Sequence, residues 1–157
     1  AACFGQEVLG ALTPAEVLEK LPLIRKEAGD RAALRALHYA CENARVREAV
    51  KALKEEHFAE FLCRVRESGD SSYKYLQNVY TCRDTEHQNV SVALAVSEML
   101  LGKNGACRVH GGGFAGTIQA FVPEDMVEKY RTEMDRIFGK NSCSVLQIRK
   151  YGGIKVL

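Results

Sequence analysis

The stretch Arg108-Val-His-Gly-Gly-Gly-Phe-Ala-Gly-Thr117 places four glycines within six residues, between a short apolar run and a β-branched run. Glycine in regular structure costs about 0.5–1 kcal/mol relative to alanine. Such a concentration is tolerable where the main chain must adopt positive φ, or where another group must come close to it. The stretch therefore predicts a turn, and a glycine-rich hairpin is its simplest interpretation.

The residues on both sides of this turn support a hairpin. Cys107 and Val109 alternate with polar residues before it, and Ile118, Ala120 and Val122 alternate with polar residues after it. Period-two alternation is typical of strands that bury one face. We therefore predict two antiparallel strands joined at the glycines.

The pattern downstream predicts one helix and two more strands. Pro123 is suited to open the helix and Gly139 to end it. The predicted elements are a helix face of Val127, Tyr130, Met134 and Ile137, a third strand from Ser144 to Ile148, a turn at Gly152-Gly153, and a short fourth strand from Ile154 to Leu157.

Upstream of the hairpin the period is helical. Thr13-Pro14-Ala15-Glu16 has the spacing of a capping box, and the helix that it opens should end near Gly29. Further starts are predicted at Asp30, at Ser71 or Ser72, and at Thr85 with Gln88. The predicted apolar faces are Leu34, Leu37, Cys41, Val46, Val50 and Leu53; then Phe58, Phe61, Leu62 and Val65, stopped by Ser68-Gly69-Asp70; then Tyr75, Leu76 and Val79; and finally Val92, Val96, Met99 and Leu100, up to Gly102.

These elements predict one α+β domain over residues 1–157. Residues 1–102 are mainly helical, and residues 103–157 form a strand–helix–strand part. The helical part should pack with a small antiparallel sheet that carries helices on one face. The length of 157 residues suits a single domain with one core, or a helical lobe beside a small sheet.

Composition excludes several classes of protein. The formal net charge is +2 with charges interspersed, which does not favour nucleic-acid binding, and no apolar run is long enough to cross a membrane. None of the six cysteines forms a C-x-x-C pair, so a zinc site is not supported. Reduced cysteines used as small apolar residues are the better interpretation, and they favour the cytoplasm.

Three chemical interpretations compete with a plain turn. A phosphate-binding P-loop fails because Thr117 stands where the lysine should be and no helix follows. The His-Gly-Gly-Gly motif of lipases needs a G-x-S-x-G partner that the sequence does not have. The third interpretation is a loop whose main chain approaches a ligand that another domain holds.

The third interpretation agrees with a family resemblance. The stretch "RVHGGGFAGTIQAFVP" resembles the third conserved motif of the GHMP small-molecule kinases, and among them the galactokinases. The segments "LRALHYACENARVREAVKALKEEHFAEFLCRVRESGDSSYKYLQNVY" and "VSVALAVSEMLLGKNGACRVHGGG" are similar to galactokinase segments in the same order, over roughly residues 33–153. The resemblance implies a GHMP kinase C-terminal domain with a ferredoxin-like fold.

Galactokinases transfer the γ-phosphoryl group of Mg-ATP to the anomeric hydroxyl of galactose. By resemblance, the loop nearest nucleotide and sugar consists of Gly111, Gly112, Gly113, Phe114, Ala115 and Gly116. ATP and Mg²⁺ would be bound mainly by an N-terminal catalytic domain that is absent from this chain, so no catalytic residue and no metal ligand is assigned here. The partners implied are ATP and galactose or a related sugar, with no nucleic acid and no membrane.

The chain begins without an initiator Met, and the only Ser pair, Ser71-Ser72, is outside the Pro and Gly context of the family's phosphate loop. The expectation is a C-terminal domain that is inactive alone and that could dimerise through the face meant for the missing domain. The alternative is a non-catalytic small-molecule-binding or regulatory α+β module.

Other residues have structural interpretations. Phe114 should pack under the loop, His110 should be a strand-end histidine satisfied by a neighbour, and His38 should make a structural hydrogen bond. His57 and His87 should be exposed. The basic cluster of Arg45, Arg47, Arg64 and Arg66 should form a solvated face paired to Glu48 and Glu67.

Overall fold

The computed structural model describes residues 2–10, 12–114 and 116–148. The chain divides into two compact units, Ala1–Pro123 and Glu124–Leu157. The elements of the first unit are a 3₁₀ turn Ala2–Phe4, α1 Pro14–Glu19, α2 Leu21–Ala28, α3 Asp30–Lys54, α4 Phe58–Ser71, a π-helical turn Ser72–Leu76, α5 Asn89–Leu101, β1 Ala106–Val109 and β2 Ile118–Phe121. Those of the second unit are a 3₁₀ turn Glu124–Met126 and α6 Val127–Phe138. The predicted α+β class is confirmed.

The first predicted helix begins as expected but is divided in two. The Thr13 hydroxyl accepts the Glu16 N–H at 3.3 Å, and the Glu16 carboxylate accepts the Thr13 N–H at 2.7 Å, which completes the capping box. Pro22 lies in the first turn of α2, where its missing N–H costs least, so the chain breaks at Lys20. At the next boundary Gly29, and not Asp30, is the N-cap of α3.

The buried face of α3 is not the predicted one. The chain buries a row of alanines, while three of the larger apolar residues assigned to the core, Val46, Val50 and Leu53, are exposed. The buried residues of α3 are Ala33, Ala36, Ala40 and Ala52. Small side chains let the neighbouring helices approach α3 closely, and that gain in packing decides which face turns inward.

The sequence predicted that α4 would stop at Gly69 and that a new helix would start at Ser71 or Ser72. Neither is observed. The helix continues through Gly69, where the missing side chain lets β1 come close. A Cβ atom at Gly69 would lie 3.1 Å from the Cys107 carbonyl oxygen and 3.2 Å from Arg108 Cβ. After Ser71 the helix widens into the π-helical turn and ends at Gln77, whose φ is 52°.

The predicted hairpin is confirmed. β1 and β2 pair antiparallel, with Cys107 opposite Ala120 and Arg108 opposite Gln119. The His110 N–H donates to the Thr117 carbonyl at 3.1 Å. Because hydrogen-bonded pairs alternate along such a ladder, the carbonyls of Gly105 and Cys107 point away from β2.

Two helices cover this hairpin. Ala106 packs against Leu62 and Val65 of α4, and the Arg66 Nη1 atom donates to the Gly105 carbonyl at 2.7 Å. On the other face the Cys107 thiol donates to the Leu94 carbonyl of α5 at 3.8 Å. Burial raises the pKa of the Cys107 thiol to about 11, so this cysteine stays protonated and packs as an apolar residue.

The start and the buried face of α5 both differ from prediction. Gln88 is the N-cap without a side-chain bond, so no Thr85–Gln88 capping box forms. Asp84 accepts two main-chain N–H groups of that turn instead, from Glu86 at 3.1 Å and from His87 at 3.0 Å. The buried residues are Val90, Ala93, Leu94, Ser97 and Leu101, whereas Val92 and Met99 are exposed. Gly102 ends the helix as predicted.

In the second unit, α6 buries two residues of its predicted face, Tyr130 and Met134, whereas Ile137 is exposed. Gly139 ends the helix as predicted. The third predicted strand, Ser144 to Ile148, is wrong: these residues form no strand, and Leu146 is 86% exposed. Alternation alone cannot make a strand, because a strand also needs a hydrogen-bonding partner. The Gly152-Gly153 turn and the fourth strand lie outside the described residues.

Two residues of the basic cluster, Arg45 and Arg64, form a contact between helices and not the predicted solvated face, whereas Arg47 is exposed as predicted. Arg64 Nη1 bonds Glu48 of α3 at 3.1 Å and Glu67 of its own helix at 2.9 Å. Arg45 of α3 pairs with Glu42 and lies 3.6 Å from Glu67. The predicted partners Glu48 and Glu67 are therefore confirmed, but the pairs cross from α3 to α4.

All six cysteines fall within the described residues, and each is a free thiol. In the part of the chain that the structure describes, no helix has both the length and the apolar composition that a membrane span requires.

We predict that Gly105→Ala lowers the free energy of unfolding by about 1–3 kcal/mol. The new Cβ would overlap the Phe121 carbonyl oxygen and lie 3.0 Å from Leu101 Cδ2, so β1 and β2 would have to separate. Urea denaturation of both proteins measures the loss. Gly10→Ala is the matched control, since its Cβ would meet only the Tyr39 hydroxyl at 3.7 Å; equal losses would contradict the prediction.

The predicted structural hydrogen bond of His38 exists, since Nδ1 lies 2.9 Å from the Ser71 hydroxyl. Burial lowers the pKa of His38; Glu42 opposes this effect, and Arg45 and Arg108 add to it. The unfolded chain, with a histidine pKa of about 6.5, therefore binds more protons than the folded chain at mildly acidic pH.

We expect the free energy of unfolding to fall as the pH drops below about 6.5, and His38→Gln to weaken that dependence. Denaturation at a series of pH values from about 5 to 8 measures both slopes. The control is His57→Gln, at an exposed side chain. A pH dependence that His38→Gln leaves unchanged would refute the assignment.

Candidate functional site

The candidate site is the loop of residues 110–117 that joins β1 to β2, which we call the glycine loop. Gly111, Gly112, Phe114 and Gly116 are exposed, and Gly113 is half-buried. Ala115, also assigned to the site from the sequence, lies outside the described residues. The described loop main chain is thus open to solvent and available to a group that approaches from outside.

Different physical constraints account for glycine at the different positions of this loop. Gly111, Gly113 and Gly116 have φ values of 63°, 77° and 80°, a region that favours glycine. A Cβ atom at Gly111 or Gly116 would nevertheless meet nothing within 4 Å. Their conformation alone accounts for them.

Gly112 is different, because neither conformation nor packing requires glycine there. Its φ is not positive, and a Cβ at this position would meet nothing within 4 Å. The open side of Gly112 faces solvent, so a methyl group would obstruct only an external group. This position is where the loop can bring bare main chain against a ligand.

The sequence predicted that Phe114 packs under the loop, and this prediction is wrong. Its side chain is 61% exposed and its φ is 54°. The Phe114 N–H donates to the Asn78 carbonyl at 2.9 Å. Positive φ at a bulky residue is uncommon and costly, and this hydrogen bond helps to hold it there. The ring is therefore exposed on the glycine loop and does not lie in the core.

Asn78 is a site residue that the sequence analysis missed. It follows the π-helical turn and Gln77, and it is only 6% exposed. Its Nδ2 atom donates to the Gly112 carbonyl at 3.1 Å. No local pattern distinguishes this asparagine, since its importance depends on a loop more than thirty residues further along the chain.

The remaining candidates add no residue to the site. Ser71 and Ser72 are buried at the end of α4, which is not an exposed phosphate-binding loop. The prediction that a neighbour satisfies His110 is wrong for its ring, which is exposed and has no bonding partner among the described residues; only its main chain bonds Thr117. His57 and His87 are exposed, as predicted.

Arg108 lies just before the loop but points away from it. Its Nη1 atom is 3.6 Å from a Glu42 carboxylate oxygen, and its Nε atom donates to the Val109 carbonyl at 3.2 Å. Glu42 also accepts the Ser68 hydroxyl of α4. These contacts fix the end of β1, so Arg108 positions the loop and does not line it.

A cavity of about 510 Å³ lies between α4, α5 and β1, but no residue of the glycine loop lines it. Most of its charged lining groups already have partners: Lys74 bonds Asp70 at 3.2 Å, and Arg66 bonds the Gly105 carbonyl. The Glu98 side chain also lines the cavity and has no bonding partner among the described residues. Within residues 2–10, 12–114 and 116–148, no group of three or more His, Cys, Asp and Glu side chains could hold a metal ion. The glycine loop remains the better candidate.

Comparison with known proteins gives the relationship. No family model matches the chain. The galactokinase of Actinobacillus pleuropneumoniae serotype 3 is 31% identical over 128 residues, which is 82% of this chain and 31% of that protein. The chain is a relative of the galactokinases.

Two other galactokinases extend this result. That of Glaesserella parasuis serovar 5 is 31% identical over the same share of both chains. That of Haemophilus influenzae is 32% identical over 100 residues, which is 64% of this chain and 24% of that protein. The galactokinase-like chain thus matches between about a quarter and a third of the length of these curated relatives.

We predict that Gly113→Ala disrupts the glycine loop, because its Cβ would overlap the Asn78 carbonyl oxygen and lie 2.7 Å from Asn78 Nδ2. The expected loss is about 1–3 kcal/mol of stability, with faster exchange of the Phe114 amide. Denaturation and hydrogen exchange measure the two effects. Gly112→Ala is the matched control and should change neither; a Gly113 variant as stable as the Gly112 variant would contradict the geometry.

Proposed function

We propose that the chain is the C-terminal domain of a galactokinase-like sugar kinase that transfers the ATP γ-phosphoryl group to the anomeric hydroxyl of galactose. In this proposal the glycine loop helps to close an active site between this domain and another one. The kinship with galactokinases supports the reaction class. The open main chain at Gly112 supports the role of the loop.

Gly112 is the observation on which this role rests. Phosphoryl transfer depends on positioning and on stabilisation of charge, and misplacing the reacting groups by about 1 Å can cost about 10²-fold in rate. A loop without a side chain at its open position lets main chain come close to the substrate. No requirement of the fold explains glycine there.

The proposed division of labour rests on the resemblance to galactokinases. When bound, Mg-ATP supplies the γ-phosphoryl group, and we assign its phosphate loop, its metal ligands and the catalytic base to another domain. The glycine loop of this chain would orient the bound groups and exclude water. Exposed main-chain N–H groups suit that role, because they can donate to phosphate or hydroxyl oxygens.

The same proposal includes galactose or a related sugar as substrate and the cytoplasm as location. The free thiols of the six cysteines support a reducing compartment.

We expect the purified 157-residue chain to form no galactose 1-phosphate from galactose and ATP, and the full-length protein that carries it to form this product. A coupled assay for ADP with galactose and other hexoses tests both. Turnover by the chain alone would contradict the division of labour. A full-length protein that binds galactose without phosphorylating it would favour the alternative, a binding or regulatory module.

In the full-length protein, we predict that Gly112→Ala lowers kcat/KM for galactose by about 10²-fold and shifts Tm by less than about 2 °C. The methyl group would occupy space that only a ligand uses. Steady-state kinetics and thermal unfolding measure the two quantities. Gly10→Ala, outside the loop, is the control; unchanged kinetics for Gly112→Ala would remove the loop from the active site.

A further inference from the structure

We propose that Asn78 is the positioning residue of the glycine loop, and that the hydrogen-bond donor of its side chain sets the loop conformation used in phosphoryl transfer. The part of this inference that concerns transfer rests on the proposed function. The part that concerns loop conformation rests on the structure alone.

The main chain before Asn78 has an uncommon conformation. The π-helical turn Ser72–Leu76 closes with the Gln77 N–H on the Ser72 carbonyl at 3.0 Å, and Gln77 itself has a φ of 52°. Single π-helical turns are rare and are often found at functional sites. A residue other than glycine in the left-handed region also costs about 1–3 kcal/mol. Together these two features end the helix and deliver Asn78 beneath the loop.

Asn78 then holds the loop at two points. Its carbonyl accepts the Phe114 N–H at 2.9 Å, and its Nδ2 atom donates to the Gly112 carbonyl at 3.1 Å. The two bonds span Gly113 and fix the main chain on both sides of it. Asn78 is almost wholly buried, so its end of each bond is held in the packed interior, while the Gly112 and Phe114 ends lie in the exposed loop.

The loop is shaped to fit this residue. Gly113 lies so close to Asn78 that any side chain at that position would overlap both its main chain and its side chain. Gly112, one residue earlier, remains free of such contacts. Asn78 therefore accounts for the glycine at position 113, and its bond to the Gly112 carbonyl orients the peptide whose open side faces the ligand.

The side-chain amide contributes as a donor and not as an acceptor. The Oδ1 atom of Asn78 is buried and has no hydrogen-bond partner among the described residues. The Asn78→Asp substitution uses this asymmetry. An ionised carboxylate only accepts hydrogen bonds and would repel the Gly112 carbonyl, whereas a protonated carboxyl group can donate to it.

The test compares Asn78→Asp, Asn78→Ala and the exposed control Asn104→Asp in the 157-residue chain. We expect the protection factor of the Phe114 amide at neutral pH to fall about tenfold or more in Asn78→Asp, less in Asn78→Ala, and not at all in the control. Lowering the pH until the new carboxyl group is protonated should restore protection in Asn78→Asp only.

Two outcomes would overturn the loop assignment: protection that is unchanged in both variants, or a loss in Asn78→Asp that acid does not reverse. If Asn78→Asp does not fold, unchanged protection of the Phe114 amide in Asn78→Ala would overturn it as well.

The role in transfer is tested separately in the full-length protein with galactose and ATP. Asn78→Ala should lower kcat about tenfold or more while KM changes less, because the loop acts on the reacting groups and not on the capture of substrate. Normal kcat together with a disordered loop would overturn this role and keep the loop assignment. Absence of galactose phosphorylation in the unsubstituted protein would overturn the proposed function, while the exchange experiment would still decide the role of Asn78 in the loop.

Discussion

The glycine loop depends on the close contact between α4 and β1. Gly69 has no side chain to separate the helix from the Cys107 carbonyl, and Arg66 satisfies the Gly105 carbonyl on the side of β1 away from β2. A two-stranded hairpin is marginally stable alone, so it needs a helix against it. The same helix continues into the π-helical turn Ser72–Leu76, and Asn78 follows two residues later. One continuous stretch of chain therefore supports the strands and binds the loop between them.

Side chains of α3 also hold α4 and β1 in this arrangement. Glu42 accepts the Ser68 hydroxyl of α4 and lies 3.6 Å from the Arg108 guanidinium of β1. His38 bonds Ser71 one turn further along α4. Polar groups that are buried and paired specify one arrangement of the elements, because any slip would leave a charge or a donor without its partner. These paired groups therefore hold the end of β1 that leads into the exposed glycine loop.

The sequence predicted more of the candidate site's location than of its construction. Glycine density and flanking alternation predicted the hairpin, and the motif predicted the kinship with galactokinases. The same reasoning placed Phe114 in the core, whereas its positive φ turns the ring outward. Asn78 could not be found at all, because its contacts span more than thirty residues of sequence. The face of α3 was wrong for a related reason: apolar periodicity ranks large residues above alanine, but close helix packing favours alanine.

The sequence by itself determined the local features: the capping box at Thr13 and Glu16, the helix ends at Gly102 and Gly139, and the hairpin on either side of the glycines. Each of these depends on neighbours within a few residues, whose propensities and hydrogen bonds act locally. Only the tertiary structure decided that Gly69 is a contact and not a helix stop, and that the glycines of the loop have different reasons to be glycine. Those decisions depend on the atoms that lie beside each Cα from distant parts of the chain, and no sequence window contains them.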